Sequence, residues 1–238
     1  MDGSGTIACV ISDIFGEQFQ PPAAMVLITA AAALLVVLWD ALWRPARNVV
    51  TIVHEAGHAL VALLAGRRLS SIRLHSDTSG VTVSRGRTDG PGMVCTALAG
   101  YLAPSVLGLA FAGLLLSERV GVVLVTCAVL LLGVLVMIRN LYGVLSILVT
   151  GGVLFAVSWL ATEEVKAAFA YLITWFLLVG GVRPVFELQR KRRRGRARDS
   201  DADQLHRLTG APGLFWVGMF AVINTGALAV AAAWLLVP

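Results

Sequence analysis

Two histidines and one glutamate stand within five consecutive residues of TIVHEAGHALVALLAG, residues 51–66. His54, Glu55 and His58 form the pattern H-E-x-x-H. On a helix, residues four positions apart lie on one face, so the two imidazoles can bind a single metal ion. Glu55 lies about 100° around the helix from His54 and can act on a metal-activated water without being a ligand. Zinc hydrolases divide these roles between two histidines and one glutamate.

The residues around this motif are apolar enough for a membrane helix. An ionisable side chain near the bilayer centre costs about 2.5–3.5 kcal/mol on insertion scales. Three of them within five residues need a compensating interaction, and metal binding supplies one. Gly57 would lower helix stability by about 1 kcal/mol relative to alanine, but it would let a neighbouring helix approach closely. We therefore interpret the three residues as part of a metal site rather than as incidental polar side chains.

The motif supplies only two metal ligands. A catalytic zinc site normally has three protein ligands and one open position for water. No third histidine follows the motif at a short spacing. The third ligand must come from another part of the chain.

The composition of the 238-residue chain predicts a membrane protein. It is 58% hydrophobic and 14% charged, with a mean hydropathy of +0.83, which is more apolar than a soluble domain of this size. The fold-class prediction is an all-α polytopic membrane protein with about six or seven transmembrane helices, since each crossing needs about 20 apolar residues. The sequence has too few turn-bounded segments of alternating hydrophobicity for an outer-membrane barrel.

The apolar runs define one domain after a short leading segment. Residues 1–22 are predicted to be an N-terminal cytoplasmic segment, and residues 23–238 a single transmembrane domain. The helices on either side of RNLYG, residues 139–143, could together form one broken membrane element. The number of transmembrane helices is therefore six or seven. The predicted segments are 23–43, 46–66, 93–116, 120–138, 144–160, 167–182 and 212–238.

Two polar inserts separate these segments. Residues 67–92 contain SIRLH and GVTVSRG, which have strand-like alternation or β-branched residues, and SDTSG between them has turn chemistry. This pattern predicts a short β-hairpin. Residues 183–210 form the second insert, which we predict to be a basic cytoplasmic loop.

The distribution of arginine and lysine predicts the orientation. These residues concentrate in the second, fourth and sixth connections, above all in RKRRRGRAR, residues 190–198. Since cytoplasmic loops carry the excess of positive charge, seven crossings would place the N-terminus in the cytoplasm and the C-terminus outside. We interpret the basic run as a topology signal that lies on anionic lipid headgroups. No nucleic-acid-binding module is recognisable, so no nucleic acid is expected as a partner.

Most of the chain after residue 45 resembles the site-2-protease class of intramembrane metalloproteases, the M50 peptidases. It is most similar to the M50B-like group of bacterial membrane proteins. This resemblance implies a multi-pass protein of a bacterial cell membrane with Zn²⁺ as cofactor, His54 and His58 as metal ligands and Glu55 as the catalytic base. The implied substrates are transmembrane segments of other membrane proteins. The stretches that carry the resemblance are residues 51–74, 76–86, 96–109, 139–145 and 200–216.

The resemblance also implies roles for other residues. In the family, a β-hairpin after the motif helix is thought to position a substrate segment as an added strand. This gives Asp77 and Gly80, at the predicted turn, a candidate role in substrate binding. The usual third ligand is an aspartate in an N-P-D-G-like or L-D-G stretch, but the matching stretch here is NLYG, in which Tyr142 replaces the aspartate. Either Asn140 contributes to the site, as a ligand or in substrate binding, or the ligand has moved.

Asp201 is the best replacement ligand, because the M50B-like group resembles this chain in an S-D-A stretch at that place. The alternative interpretation is that Asp201 and the neighbouring Asp199 and Asp203 cap a helix and neutralise the basic run. His75, Asp77 and His206 are weaker candidates.

The predicted function is a zinc-dependent intramembrane endopeptidase. One alternative is a non-catalytic metal-binding relative, which the missing D-G aspartate would favour. A metal transporter ranks lowest, since it needs several intramembrane ligands along a path, whereas this sequence has one tight cluster.

Overall fold

The computed structural model describes residues 21–195, 197 and 199–236, so the predicted N-terminal segment lies almost wholly outside the described residues. Within them the chain forms eight helices and one two-stranded antiparallel sheet. The elements, in chain order, are α1 (Ala23–Leu38), α2 (Asp40–Leu64), β1 (Arg68–Leu74), β2 (Gly80–Arg85), α3 (Pro91–Leu116), α4 (Val120–Met137), α5 (Leu141–Leu160), α6 (Glu163–Arg193), α7 (Asp201–Thr209) and α8 (Gly213–Leu236).

The helices confirm an all-α polytopic membrane protein. Five of them, α3, α4, α5, α6 and α8, are long and apolar enough to cross a bilayer. Helices α1 and α2 pass the same test only as a pair, and they meet at an angle of 101°. The described residues therefore contain five candidate membrane spans, or six if the bent pair counts as one. Six is the lower of the two predicted numbers.

Helix α6 lies at the centre of the largest apolar cluster, which also includes residues of α1, α2, α3, α4 and α8. The motif helix α2 packs on α3, and Gly57 makes this contact close. A side-chain carbon at Gly57 would lie 2.9 Å from the carbonyl oxygen of Ala99 and would overlap Ala103. The predicted role of Gly57, close approach of a neighbouring helix, is what this packing requires.

The predicted hairpin is present, with Leu74 paired to Gly80 across the turn. The outer edge of β1 is fixed to the connection between α4 and α5. The amide of Arg139 donates to the carbonyl of Ile72 at 3.0 Å. The carboxamide of Asn140 makes two hydrogen bonds with the backbone of Leu74, at 3.2 and 2.6 Å. The hairpin therefore has one occupied edge.

The predicted loop at residues 183–210 is wrong in its extent, because most of it is helical. Helix α6 continues through the basic run to Arg193, and α7 begins at Asp201. Arginine and lysine are good helix formers and are favourable near a helix C-terminus, so the helix need not end where the bilayer does. Only a short connection remains between the two helices.

Helix α7 is fixed to the rest of the protein on two sides. Its buried residues Ala202 and Leu205 pack in an apolar cluster with parts of α3, α6 and α8. Arg192 of α6 forms an ion pair with Asp203, and the Ser200 hydroxyl accepts from the amide of Asp203 as the N-cap. These contacts set the position of the first turn of α7, where Asp201 lies.

Candidate metal centre

His54, His58 and Asp201 converge on one point, and we refer to these three residues as the candidate metal centre. The Nε2 atoms of the two histidines are 3.1 Å apart. Asp201 Oδ2 lies 3.3 Å from each of them. Among the described residues, this is the only group of three or more potential metal-binding side chains.

The orientation of His58 is set by helix α3. Its Nδ1 lies 2.7 Å from the carbonyl oxygen of Thr96. A carbonyl can only accept, so Nδ1 carries the proton and Nε2 keeps its lone pair for a ligand. Metal-binding histidines are commonly oriented in this way by a second hydrogen bond.

Two residues of α3 allow the imidazoles their positions. A side-chain carbon at Gly100 would lie 2.6 Å from His54 Nε2 and would overlap His58. The Tyr101 ring meets the His54 ring edge-on at 4.9 Å and stacks on Phe220 at 5.0 Å. Gly100 thus packs directly against the candidate metal centre.

Glu55 lies beside the candidate metal centre but is not part of it. The side chain is buried, with 3% of the residue exposed. The Thr82 hydroxyl lies 2.7 Å from Glu55 Oε2, to which it can donate, and 3.2 Å from the Glu55 carbonyl oxygen. A side-chain carbon at Gly80 would lie 2.5 Å from Glu55 Oε1. Strand β2 therefore holds the carboxylate in place through a hydroxyl and a glycine.

Asp201 carries the negative charge of the candidate metal centre. Burial raises the pKa of the Asp201 carboxyl, but the adjacent imidazoles of His58 and His54 outweigh burial and hold that pKa well below its ordinary value. The capping role that was the alternative interpretation of this aspartate belongs to Ser200, and Asp203 pairs with the basic run through Arg192.

The three donor atoms suit a zinc ion. Zinc takes imidazole nitrogen and carboxylate oxygen as ligands, at about 2.0–2.2 Å, in tetrahedral sites. Donors on a tetrahedron of that size are about 3.3–3.6 Å apart, and the spacings here are 3.1 to 3.3 Å. The cavity at this place has a volume of about 200 Å³ and is lined by all three residues together with Glu55 and β2. A three-ligand set with adjoining space fits a catalytic rather than a closed structural site.

Other predicted site residues lie outside this group. The carboxamide of Asn140 is engaged by the Leu74 backbone. Asp77 is exposed at the hairpin turn, where hydrogen bonds from the Ser79 hydroxyl and amide lower the pKa of its carboxyl. His206 lies 2.9 Å from the Ala211 carbonyl, and His75 contacts Ser79. The substrate-binding roles of Asn140, Asp77 and Gly80 stay predictions, although Gly80 does contact Glu55.

Sequence reasoning missed Thr82 and Thr96. For Thr82 a signal existed. Alternate residues of a strand share a face, and Gly80, two positions earlier, was already a candidate for substrate binding, so Thr82 could have been placed on the same face. For Thr96 no signal existed, because its carbonyl reaches His58 only through the packing of α2 on α3.

One comparison with known proteins assigns the chain to a family. A search of curated proteins and a search of solved structures found no match to the chain. The model of the family described as Peptidase M50B-like matches residues 27–231. This range includes His54, Glu55, His58 and Asp201 and spans most of the 238 residues. The chain belongs to the Peptidase M50B-like family.

Proposed function

We propose that this protein is a zinc-dependent intramembrane endopeptidase that hydrolyses peptide bonds in or near transmembrane segments of other membrane proteins. The observation that carries the proposal is the convergence of His54, His58 and Asp201 within 3.3 Å of one another. Glu55 stands beside them as a fourth, separately held group. Membership of a peptidase family supports the reaction class.

The proposed mechanism gives each residue one task. His54, His58 and Asp201 would hold Zn²⁺, which supplies Lewis-acid chemistry that acidifies a water and polarises the scissile carbonyl. Glu55 accepts the proton of the attacking water on a carboxylate oxygen and then donates it to the leaving amine. Thr96 keeps Nε2 of His58 directed into the cavity, and the Thr82 hydroxyl orients the carboxylate of Glu55.

Strand β2 supports a proposal for how a substrate would bind. The outer edge of β1 is occupied by Arg139 and Asn140. Among the described residues, no backbone group pairs with the outer edge of β2. The same strand lines the cavity of the candidate metal centre. A substrate segment unwound from its helix could add to β2 through main-chain hydrogen bonds, which demand little of its sequence.

The two alternatives make different predictions about metal and turnover. A non-catalytic relative would bind zinc without cleaving. A transporter would need further ligands along a path, and the described residues contain no second group of this kind. The position of Asp201, 3.3 Å from both imidazoles, supports it as a third ligand in place of the absent D-G aspartate, and this weakens the case for a non-catalytic relative.

The test uses Glu55→Gln, which removes the base and keeps the shape of the side chain. Purified wild type and variant are reconstituted in vesicles with a transmembrane-segment substrate, and cleavage and zinc content are measured. We expect equal zinc in both proteins and a loss of cleavage of at least about 100-fold in the variant, which is typical of a missing general base.

Glu164→Gln is the matched control, since Glu164 is an exposed carboxylate at the start of α6. This variant should cleave at the wild-type rate. Stoichiometric zinc in the wild type without any difference in cleavage from Glu55→Gln would overturn the proposal and favour the non-catalytic alternative.

A further inference from the structure

A second, larger cavity lies away from the candidate metal centre, with a volume of about 640 Å³. Its walls are the first turns of α2, the C-terminal half of α6 and the turn of the hairpin. The 101° bend between α1 and α2 directs the first turns of α2 away from the axis of α1. We call this space the basic pocket; it is lined by Asp40, Trp43, Arg44, Pro45, Arg47, Ser76, Asp77, Thr78, Tyr142, Arg183, Glu187, Arg190, Lys191 and Arg194.

Cations outnumber anions in the basic pocket by six to three. Two of the six are already neutralised. Arg183 pairs with Asp40 and, at 3.0 Å, with Glu187, and its guanidinium lies 5.0 Å from the centre of the Trp43 ring. Arg47 lies 3.5 Å from the same Glu187.

The remaining four cations have no such partners. Arg44, Arg190, Lys191 and Arg194 make no side-chain hydrogen bond and no ion pair within the part of the chain that the structure describes. The third acid of the basic pocket, Asp77, is engaged by Ser79 in its own turn. An excess of unpaired positive charge therefore faces one cavity, and it favours an anionic occupant.

The spacing of the cations on α6 shows that the basic run has two faces. Arg183 and Arg190 are seven residues apart and Arg194 follows four residues later, so these three lie on one side of the helix, and together with Lys191 they line the basic pocket. Arg192 points elsewhere and holds Asp203. One face of the basic run therefore lines the basic pocket together with α2, and the other face anchors α7.

The position of the basic pocket indicates the class of occupant. It lies where α6 passes from its apolar part into the basic run, on the side that the arginine distribution predicts to be cytoplasmic. Anionic lipid headgroups concentrate there, and basic pockets between helices on that side suit their phosphates. Tyr142 adds an aromatic ring of the kind that favours the membrane interface.

We propose that the basic pocket binds the phosphate of an anionic lipid headgroup, with Arg44, Arg190, Lys191 and Arg194 as its cationic contacts. Arginine presents a planar fork that matches phosphate oxygens, so three arginines and one lysine form a suitable set. The site is separate from the candidate metal centre, and its occupancy does not depend on the proposed peptidase activity.

The test measures lipid binding by native mass spectrometry of the full chain in detergent, with phosphatidylglycerol compared with phosphatidylcholine. The variant R44Q/R190Q/R194Q removes three of the four unpaired cations. We expect the wild type to bind phosphatidylglycerol in clear preference, and the variant to lose at least about tenfold in affinity, because each cation that contacts the bound phosphate contributes about fivefold.

The matched control is R68Q/R85Q/R193Q, which removes the same charge from exposed positions outside the basic pocket. It should bind phosphatidylglycerol within about twofold of the wild type. Equal losses in the two variants would mean general surface attraction and would overturn the proposal. Thermal unfolding of both variants in the same detergent checks the fold, and the single variant Arg190→Gln, with an expected loss of roughly fivefold, replaces the triple variant if that one unfolds early.

A second arm separates the two sources of phosphate. Inorganic phosphate and glycerol phosphate are added as competitors of phosphatidylglycerol. We expect neither to displace the lipid at equal concentration. Displacement by either one would assign the basic pocket to a soluble phosphate compound and overturn its assignment to a lipid.

Discussion

At the scale of single residues, the contact between Thr82 and Glu55 gives the hairpin a direct influence on the proposed base. The Thr82 hydroxyl lies 2.7 Å from Glu55 Oε2, and a hydrogen bond to a charged group contributes about 1.5–3 kcal/mol. We expect Thr82→Val to lower kcat about tenfold or more while zinc content stays unchanged. Steady-state kinetics beside metal analysis would measure both.

Thr82→Ser is the control for this prediction, because it keeps the hydroxyl and loses one methyl group. It should recover most of kcat, and KM should differ little among the three proteins. A Thr82→Val enzyme as fast as the wild type would show that the hydroxyl does not support the base. A faster one would show that the hydroxyl restrains it.

As the proposed third zinc ligand, Asp201 should matter more for zinc binding than residues that only orient ligands. Its Oδ2 lies 3.3 Å from both imidazole nitrogens. Residues that orient a ligand typically change metal affinity 10- to 100-fold when they are mutated, roughly. We expect Asp201→Asn to weaken zinc binding by more than about 100-fold, measured by competition with a chelator.

Asp199→Asn is the matched control, since Asp199 lines the same cavity but is not in the group of potential metal ligands. Its zinc affinity should equal that of the wild type. A loss of the same size in both variants would mean that charge in this connection matters and that Asp201 has no special role.

The residues of the motif could be predicted from sequence more fully than their partners. His54, Glu55 and His58 are fixed by local helical spacing, which the sequence contains. Asp201 was one of several candidates, because its approach depends on how α7 packs, about 140 residues later in the chain. Gly100 and Thr96 acquire their roles only through the packing of α3 on α2, and no local pattern distinguishes them from ordinary residues of a membrane helix.

At the scale of elements, helix α7 has to be fixed before Asp201 can meet the histidines. Arg192 pairs with Asp203, and its Nη1 lies 3.5 Å from the Ser200 hydroxyl. We expect Arg192→Ala to lower zinc affinity about 10- to 100-fold although Arg192 is no ligand, because the first turn of α7 loses its anchor. The chelator competition assay used for Asp201 measures this effect.

Arg193 provides the control for Arg192, because it is the next residue of the same basic run and is exposed. Arg193→Ala should leave zinc affinity within about twofold of the wild type. If both variants bind zinc as the wild type does, the apolar contacts of Ala202 and Leu205 suffice to hold α7.

The hairpin was predictable because turn chemistry and strand alternation are local signals. The bend at Trp39 was not, since LLVVLWDALW contains neither glycine nor proline at the bend. The sequence placed the end of the first segment near this point, but it gave no direction for the next helix. The helical basic run was missed for a related reason, because hydropathy marks where a bilayer ends and not where a helix ends.

At the scale of the whole molecule, the packing of α1 changes the side of the membrane on which we expect its first residue. The buried residues Val26, Ala33 and Val37 of α1 belong to the apolar cluster that contains the N-terminal half of α6. The last turn of α1 lies beside Arg183, whose guanidinium donates to the Val37 carbonyl. Helix α1 thus runs in the same direction as α6, from the Glu163 end toward the basic run.

This direction differs from the expectation of a cytoplasmic N-terminus, which assumed that the first two segments cross the membrane separately. With α1 and α2 as one bent span, the Ala23 end of α1 lies with Glu163 and Glu164, opposite the hairpin and the basic run. The excess of arginine around the hairpin and at the end of α6 predicts that this second side is cytoplasmic. We therefore expect the Ala23 end to be outside.

Cysteine labelling in intact cells tests this orientation, in a background in which Cys9, Cys95 and Cys127 are replaced by serine. Ala24→Cys should react with a membrane-impermeant maleimide, because Ala24 is exposed at the outer end of α1. Glu164→Cys is the positive control, and Thr78→Cys at the hairpin turn should react only after the membrane is permeabilised. If Ala24→Cys behaves like Thr78→Cys, then α1 does not cross with α2 as one bent span, and the two helices together make an even number of crossings.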